Sequence, residues 1–119
     1  MRTILIVDDD AGLQDLLQAV LEGEGYQVLV ASDGQEALVQ VSAHHPHLIL
    51  LDLMMPHMNG SAFVAALEQR GLRASTTIII VSADRHAVQL ANQLHIDGLM
   101  QKPFEISELL DMVARLVGA

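Results

Sequence analysis

Short apolar runs alternate with helically spaced segments five times along this chain, and that alternation limits the available folds more than any other feature. The runs are residues 3–7 (TILIV), 26–31 (YQVLVA), 48–51 (LILL), 76–81 (TTIIIV) and a shorter one at 99–101. They are continuous rather than alternating, as expected of strands covered on both faces, with Gln27 marking the second as a more exposed edge. Between them, helices are predicted. Leu13, Leu16, Leu17, Val20 and Leu21 recur at helical spacing after a capping Asp10, and Gly23 and Gly25 end that segment. Asp33 with Glu36 resembles a capping box before Ala37, Leu38 and Val41. Asn59 can cap a helix carrying Phe63 and Leu67 and closed by Gly71. Ala87, Val88, Ala91 and Leu94 mark a fourth helix, and Leu109, Leu110, Val113, Leu116 and Val117 a fifth. Strand followed by helix, repeated, implies parallel strands joined by right-handed crossovers. The expected fold class is α/β: a doubly wound, five-stranded parallel sheet with helices on both faces. In such sheets ligands bind beyond the carboxyl ends of the strands, near a switch in strand order.

The 119 residues suit one domain, 1–119, with no output domain inside it. At 51% apolar content the chain is not expected to be disordered. No apolar run approaches the ~20 residues that span a bilayer, and MRTILIV is too short for a signal peptide. The absence of cysteine excludes disulfides and thiolate metal sites and fits a cytoplasmic location. The formal net charge is −9, with six Lys and Arg against fifteen acids. That balance cannot build the basic face that nucleic acid requires, and it disfavours anionic membranes. Protein partners or a metal ion are the expected ligands.

Within LILLDLMMPHMNG, an acid, Asp52, ends a run that otherwise belongs in a core, although a buried carboxylate is costly. The other strand ends explain it. The first strand runs into Asp8, Asp9 and Asp10, the fourth into Ser82, and the fifth into Lys102 and Pro103. The fold would gather these at one edge. Carboxylates crowded there repel unless a cation intervenes, and Lys102 alone cannot neutralise them all. A hard divalent ion such as Mg²⁺, which takes one or two carboxylates and keeps several waters, can. A carboxylate beside such an ion can act as a nucleophile toward phosphorus, and phosphoryl transfer needs mainly positioning and charge neutralisation.

Taken in order, ILIVDDD, ASDGQEAL, LILLDLMMPHMNG, IIIVSA and QKPF resemble the receiver domain of two-component response regulators over the whole chain. The resemblance implies the strand order 2-1-3-4-5, with Asp52 as the phospho-acceptor. It implies that Asp9 holds Mg²⁺ directly and Asp8 through water, with Asp52 and the Met54 backbone carbonyl completing the protein's ligands. Ser82 would bind a phosphoryl oxygen and Lys102 would pair with the phosphorylated carboxylate. It further implies a cis Lys102–Pro103 peptide. The partners implied are a sensor histidine kinase or phosphotransfer protein and an unidentified output partner. The domain would not be a turnover enzyme but would catalyse its own phosphotransfer and dephosphorylation.

Two other readings compete. An aspartyl-phosphate phosphohydrolase would need a second acid two residues after the nucleophile, where this chain has Met54. A receiver-like adaptor acting without phosphorylation usually lacks an acid or the lysine, and this chain keeps them. His44, His45 and His47 beside Pro46 read as solvated loop rather than a metal site. Met54, Met55 and Met58 read as adaptable packing. Three positions depart from the family pattern: Leu99 stands where an aromatic is common, His47 stands where an acid is common, and the segment from Ser82 to Lys102 is shorter than usual. Leu99 is expected to be buried near the fourth helix.

Overall fold

The computed structural model describes residues 2–53, 59–84 and 86–117. The strands are β1 (Thr3–Val7), β2 (Gln27–Ala31), β3 (Leu48–Leu51), β4 (Thr77–Ser82) and β5 (Gly98–Gln101). The helices are α1 (Ala11–Gly23), α2 (Gly34–His44), α3 (Gly60–Gln69), α4 (Ala87–Gln93) and α5 (Ile106–Leu116), with one 3-10 turn at Arg73–Ser75. All strand pairs are parallel, and the order is β2-β1-β3-β4-β5. The predicted fold class and the implied strand order both hold.

Boundaries moved where the local hydrogen bonding required it. Tyr26 was expected to open β2, but its N–H donates to Leu21 O and so completes the exit turn of α1. Thr76 was expected to open β4, but its N–H donates to Arg73 O and closes the unanticipated 3-10 turn. The predicted caps are in place: Asp10, Asp33 and Asn59 accept from the N–H groups of Leu13, Glu36 and Ala62. The Asp33–Glu36 box is modified, since Glu36 Oε2 accepts from Ser32 N–H rather than from the cap residue. Gly71 adopts φ +70°, a left-handed conformation that glycine reaches without a Cβ clash. The Lys102–Pro103 peptide is cis, as the resemblance implied.

Successive strand residues point to opposite faces, and each face has its own core. Ile4, Ile6, Leu48, Leu50, Ile79 and Val81 pack with Leu17 and Leu21 of α1 and Leu109 and Val113 of α5. Leu5, Val7, Ile49, Leu51 and Ile78 pack with Leu38 and Val41 of α2 and Phe63, Val64 and Leu67 of α3. The apolar runs are unbroken because both faces are covered. A smaller cluster of Leu53, Ile80 and Ala87 seats α4, and Leu99 packs against it. Leu99 is only half-buried there, less than expected, at the margin of a seven-residue helix.

The amino-terminal edge of the sheet is tied by polar groups. Arg73 donates to Thr76 O and His95 O and pairs with Asp97 at 3.3 Å, while Asp97 accepts from Ile78 N–H. His47, read from sequence as solvated loop, joins this edge: its Nδ1 accepts from Thr3 N–H at 3.0 Å. Among the described residues, no helix is long and apolar enough to cross a membrane.

At the start of α3, Gly60 N–H donates to Leu53 O, and a Cβ at Gly60 would lie 2.9 Å from Leu53 Cα and 2.6 Å from Leu53 Cδ2. Backbone cannot yield as a flexible side chain can, so Gly60→Ala should destabilise the protein by about 1–3 kcal/mol, the usual cost of overpacking. Urea denaturation measures it; an unchanged midpoint would contradict the contact.

Candidate functional site

Register brings the key acids together. Val7 pairs with Leu51 across β1 and β3, so the next residues, Asp8 and Asp52, leave the sheet side by side. The ladder extends one bond further, from Asp52 N–H to Val7 O at 2.9 Å. Here the chain, having gone from β1 to β2 on one side, returns to β3 on the other, which is the switch point where such sheets bind ligands.

Asp8 and Asp52 are buried, at 3% and 8% exposure, whereas Asp9 is exposed. Carboxylate oxygens of Asp8, Asp9 and Asp52 all lie within 4.8 Å of one another. Lys102 comes from the far end of β5, where its N–H donates to Ser82 O and extends the β4–β5 ladder. Its Nζ sits 3.0 Å from Asp8 Oδ2 and 3.6 Å from Asp52 Oδ2. Burial is the largest single influence on the Lys102 ammonium and opposes its charge. The hydrogen bond to Asp8 and the charges of Asp52 and Asp8 together outweigh it, so the net shift is upward from the ordinary lysine value. Lys102 is therefore a fixed cation, and it makes two neighbouring buried carboxylates tolerable.

Every polar atom of Asp8 is engaged. Its N–H donates to Ala31 O, Oδ1 accepts from Asp10 N–H at 2.9 Å, Oδ2 accepts from Lys102, and its backbone carbonyl accepts from Gln14 Nε2. Ser82 ends β4 fully buried, and its Oγ accepts from Asp84 N–H at 3.1 Å, leaving the hydroxyl proton available to donate elsewhere. Four of the expected site residues, Asp8, Asp9, Asp52 and Lys102, thus converge directly. Ser82 stands at the same edge, one ladder bond from Lys102, and Met54 lies outside the described residues. Sequence reasoning missed Gln14 and Ser32, which bond each other at 3.2 Å behind the cluster. Gln14 is a polar residue in the first turn of α1, where only its apolar neighbours carry a periodic signal.

The donor set fits a hard divalent cation: oxygen ligands, net negative charge, and one exposed carboxylate through which an ion with several waters can enter.

The family model of the response regulator receiver domain matches residues 4–114. The chain belongs to this family. A receiver domain of two-component signalling catalyses phosphotransfer to itself and its own dephosphorylation rather than turnover of a separate substrate. The domain is 42% identical to the DNA-binding response regulator MtrA of Mycolicibacterium paratuberculosis, over 97% of this chain and 51% of that protein. It spans about half the length of the curated relatives it matches. Among solved structures it resembles the Vibrio cholerae chemotaxis protein CheY4, with a TM-score of 0.89 and 29% identity over 98% of each chain. It also resembles Thermotoga maritima response regulator TrrA, solved in complex with Mg²⁺-BeF, with a TM-score of 0.86 and 29% identity over 98% of this chain and 99% of that one.

Removing the exposed acid tests metal binding apart from folding. In metal-free buffer, Asp9→Ala should melt no lower than the parent domain, because it relieves repulsion around Asp8 and Asp52. Mg²⁺ should raise the melting temperature of the parent domain but not of the variant. A calorimetric scan with and without Mg²⁺ reads both; equal stabilisation of the two proteins would refute the role of Asp9.

Proposed function

We propose that this domain accepts a phosphoryl group on Asp52 from a phosphohistidine of a sensor kinase or phosphotransfer protein, in a Mg²⁺-dependent reaction that alters its affinity for an output partner. The observation that carries the proposal is Lys102 spanning the adjacent carboxylates Asp8 and Asp52 at the switch point of the sheet. An oxygen of Asp52 attacks phosphorus as the P–N bond breaks. The bonding pair stays on the imidazole nitrogen, which takes a proton from solvent. Water later hydrolyses the acyl phosphate and restores the carboxylate. Lys102 stands where it can neutralise charge gathering on the acceptor, and the Ser82 hydroxyl can donate to a phosphoryl oxygen. Asp8 and Asp9 would hold Mg²⁺, together with Asp52 and the Met54 carbonyl, and the ion would neutralise the transferred group's oxygens. Transfer of this kind rests on placement and charge compensation, which these side chains supply.

Incubation with Mg²⁺ and acetyl phosphate should add one phosphoryl group, located by mass spectrometry at Asp52. Asp52→Asn should abolish the label. Undiminished labelling of that variant would remove Asp52 as the acceptor.

On the output side we propose that coupling runs through shifts of the β4–α4 connection and α4 rather than through a rotating aromatic ring. Leu99, half-buried against Leu53, Ile80 and Ala87, has neither a ring to swing nor a hydroxyl to present. The coupling is expected near the low end of the usual ~1–3 kcal/mol. NMR of the free and beryllofluoride-bound domain should show large changes around residues 83–94 and little change in Leu99 methyl contacts. A Leu99 side chain that swings between buried and exposed positions would overturn this.

A further inference from the structure

We infer that Gln14 is a positioning residue for the metal site, acting on Asp9 through the Asp8–Asp9 peptide. The inference rests on the proposed role of Asp9 as a direct metal ligand. Asp9 is exposed, and among the described residues its carboxylate has no side-chain or backbone partner, so what the fold fixes is its Cα–Cβ bond, placed by the backbone that carries it. That backbone leaves β1 at Val7 and enters α1 at Ala11, with Asp9 midway between. The Asp8 carbonyl and the Asp9 N–H share one rigid plane. Whatever holds the carbonyl therefore orients the peptide and the Asp9 Cα beyond it. Gln14 Nε2 holds it.

Gln14 is itself held. Its N–H donates to Asp10 O inside α1, and its side-chain amide also donates to Ser32 Oγ at 3.2 Å. Ser32 N–H in turn donates to Glu36 Oε2 in the first turn of α2. A chain of bonds thus runs from α2 through Ser32 and Gln14 to the peptide before Asp9. Both amide hydrogens of Gln14 serve this chain, and an amide is the side chain that offers two donors without charge. A lysine or arginine could also reach the carbonyl, but its charge would repel an incoming cation.

The experiment is a Mg²⁺ titration of the unphosphorylated domain, followed by amide chemical shifts. Gln14→Met keeps the length and removes both donors; it should weaken Mg²⁺ binding about three- to tenfold, the worth of one hydrogen bond. Ser32→Ala removes only the outer anchor and should weaken binding in the same direction by less. It also serves the test should Gln14→Met perturb folding. A merely structural role would lower the melting temperature and leave the Mg²⁺ affinity unmoved. Affinity within twofold of the parent in Gln14→Met and in Ser32→Ala, with Asp9→Asn deficient, would overturn the positioning role alone. Parent-like affinity in Asp9→Asn would remove the metal assignment, and this inference with it.

Discussion

The Lys102 ammonium between Asp8 and Asp52 is the interaction on which the site depends. Register places two carboxylates side by side at the end of a buried sheet, and without a counter-charge their repulsion would stand unopposed. Lys102 reaches them from β5, two strands away from β3, so the site closes only when the sheet is complete. Its charge survives partial burial because the two acids that need it also stabilise it. Coupling between fold and chemistry here is electrostatic and reciprocal.

The fold was largely legible because strand burial on both faces writes itself as unbroken apolar runs. TILIV, LILL and TTIIIV needed no tertiary information to be read as strands, and their exits named the acids and Ser82, while the shorter run at 99–101 led to Lys102. Asp10, Asp33 and Asn59 were readable as caps because their chemistry is local. What was not readable depends on side chains meeting across distant segments. Gln14 bonds Ser32 eighteen residues away, and no periodicity marks either one. The same holds for Arg73 and Asp97, ordinary charged residues by sequence that turn out to bind the base of β4 to β5. Strand order came from the resemblance, since local pattern does not say which strands lie side by side.

His47 illustrates a third case, in which the residue was noticed and its environment was not. A histidine beside Pro46 in a short loop looks solvated, and the side chain is indeed near the surface. Its ring nitrogen nevertheless takes the N–H of Thr3, while its own N–H donates to Thr3 O and its carbonyl accepts from Thr77 N–H. One residue therefore links β1, β3 and β4 where they begin. The imidazole must present an unprotonated Nδ1 to do so, a constraint that residue type alone does not reveal.

The two edges of the sheet are built on opposite terms. Arg73 and Asp97 fasten the amino-terminal ends of β4 and β5 with four directed bonds among groups of opposite or neutral charge. At the carboxyl ends, Ser82 and Lys102 are joined by one ladder bond and face an excess of like charge. A beam clamped at one end and loaded at the other deflects most at the loaded end. A change of charge beside Ser82 thus acts at the end of β4 opposite the one that Arg73 and Asp97 fasten.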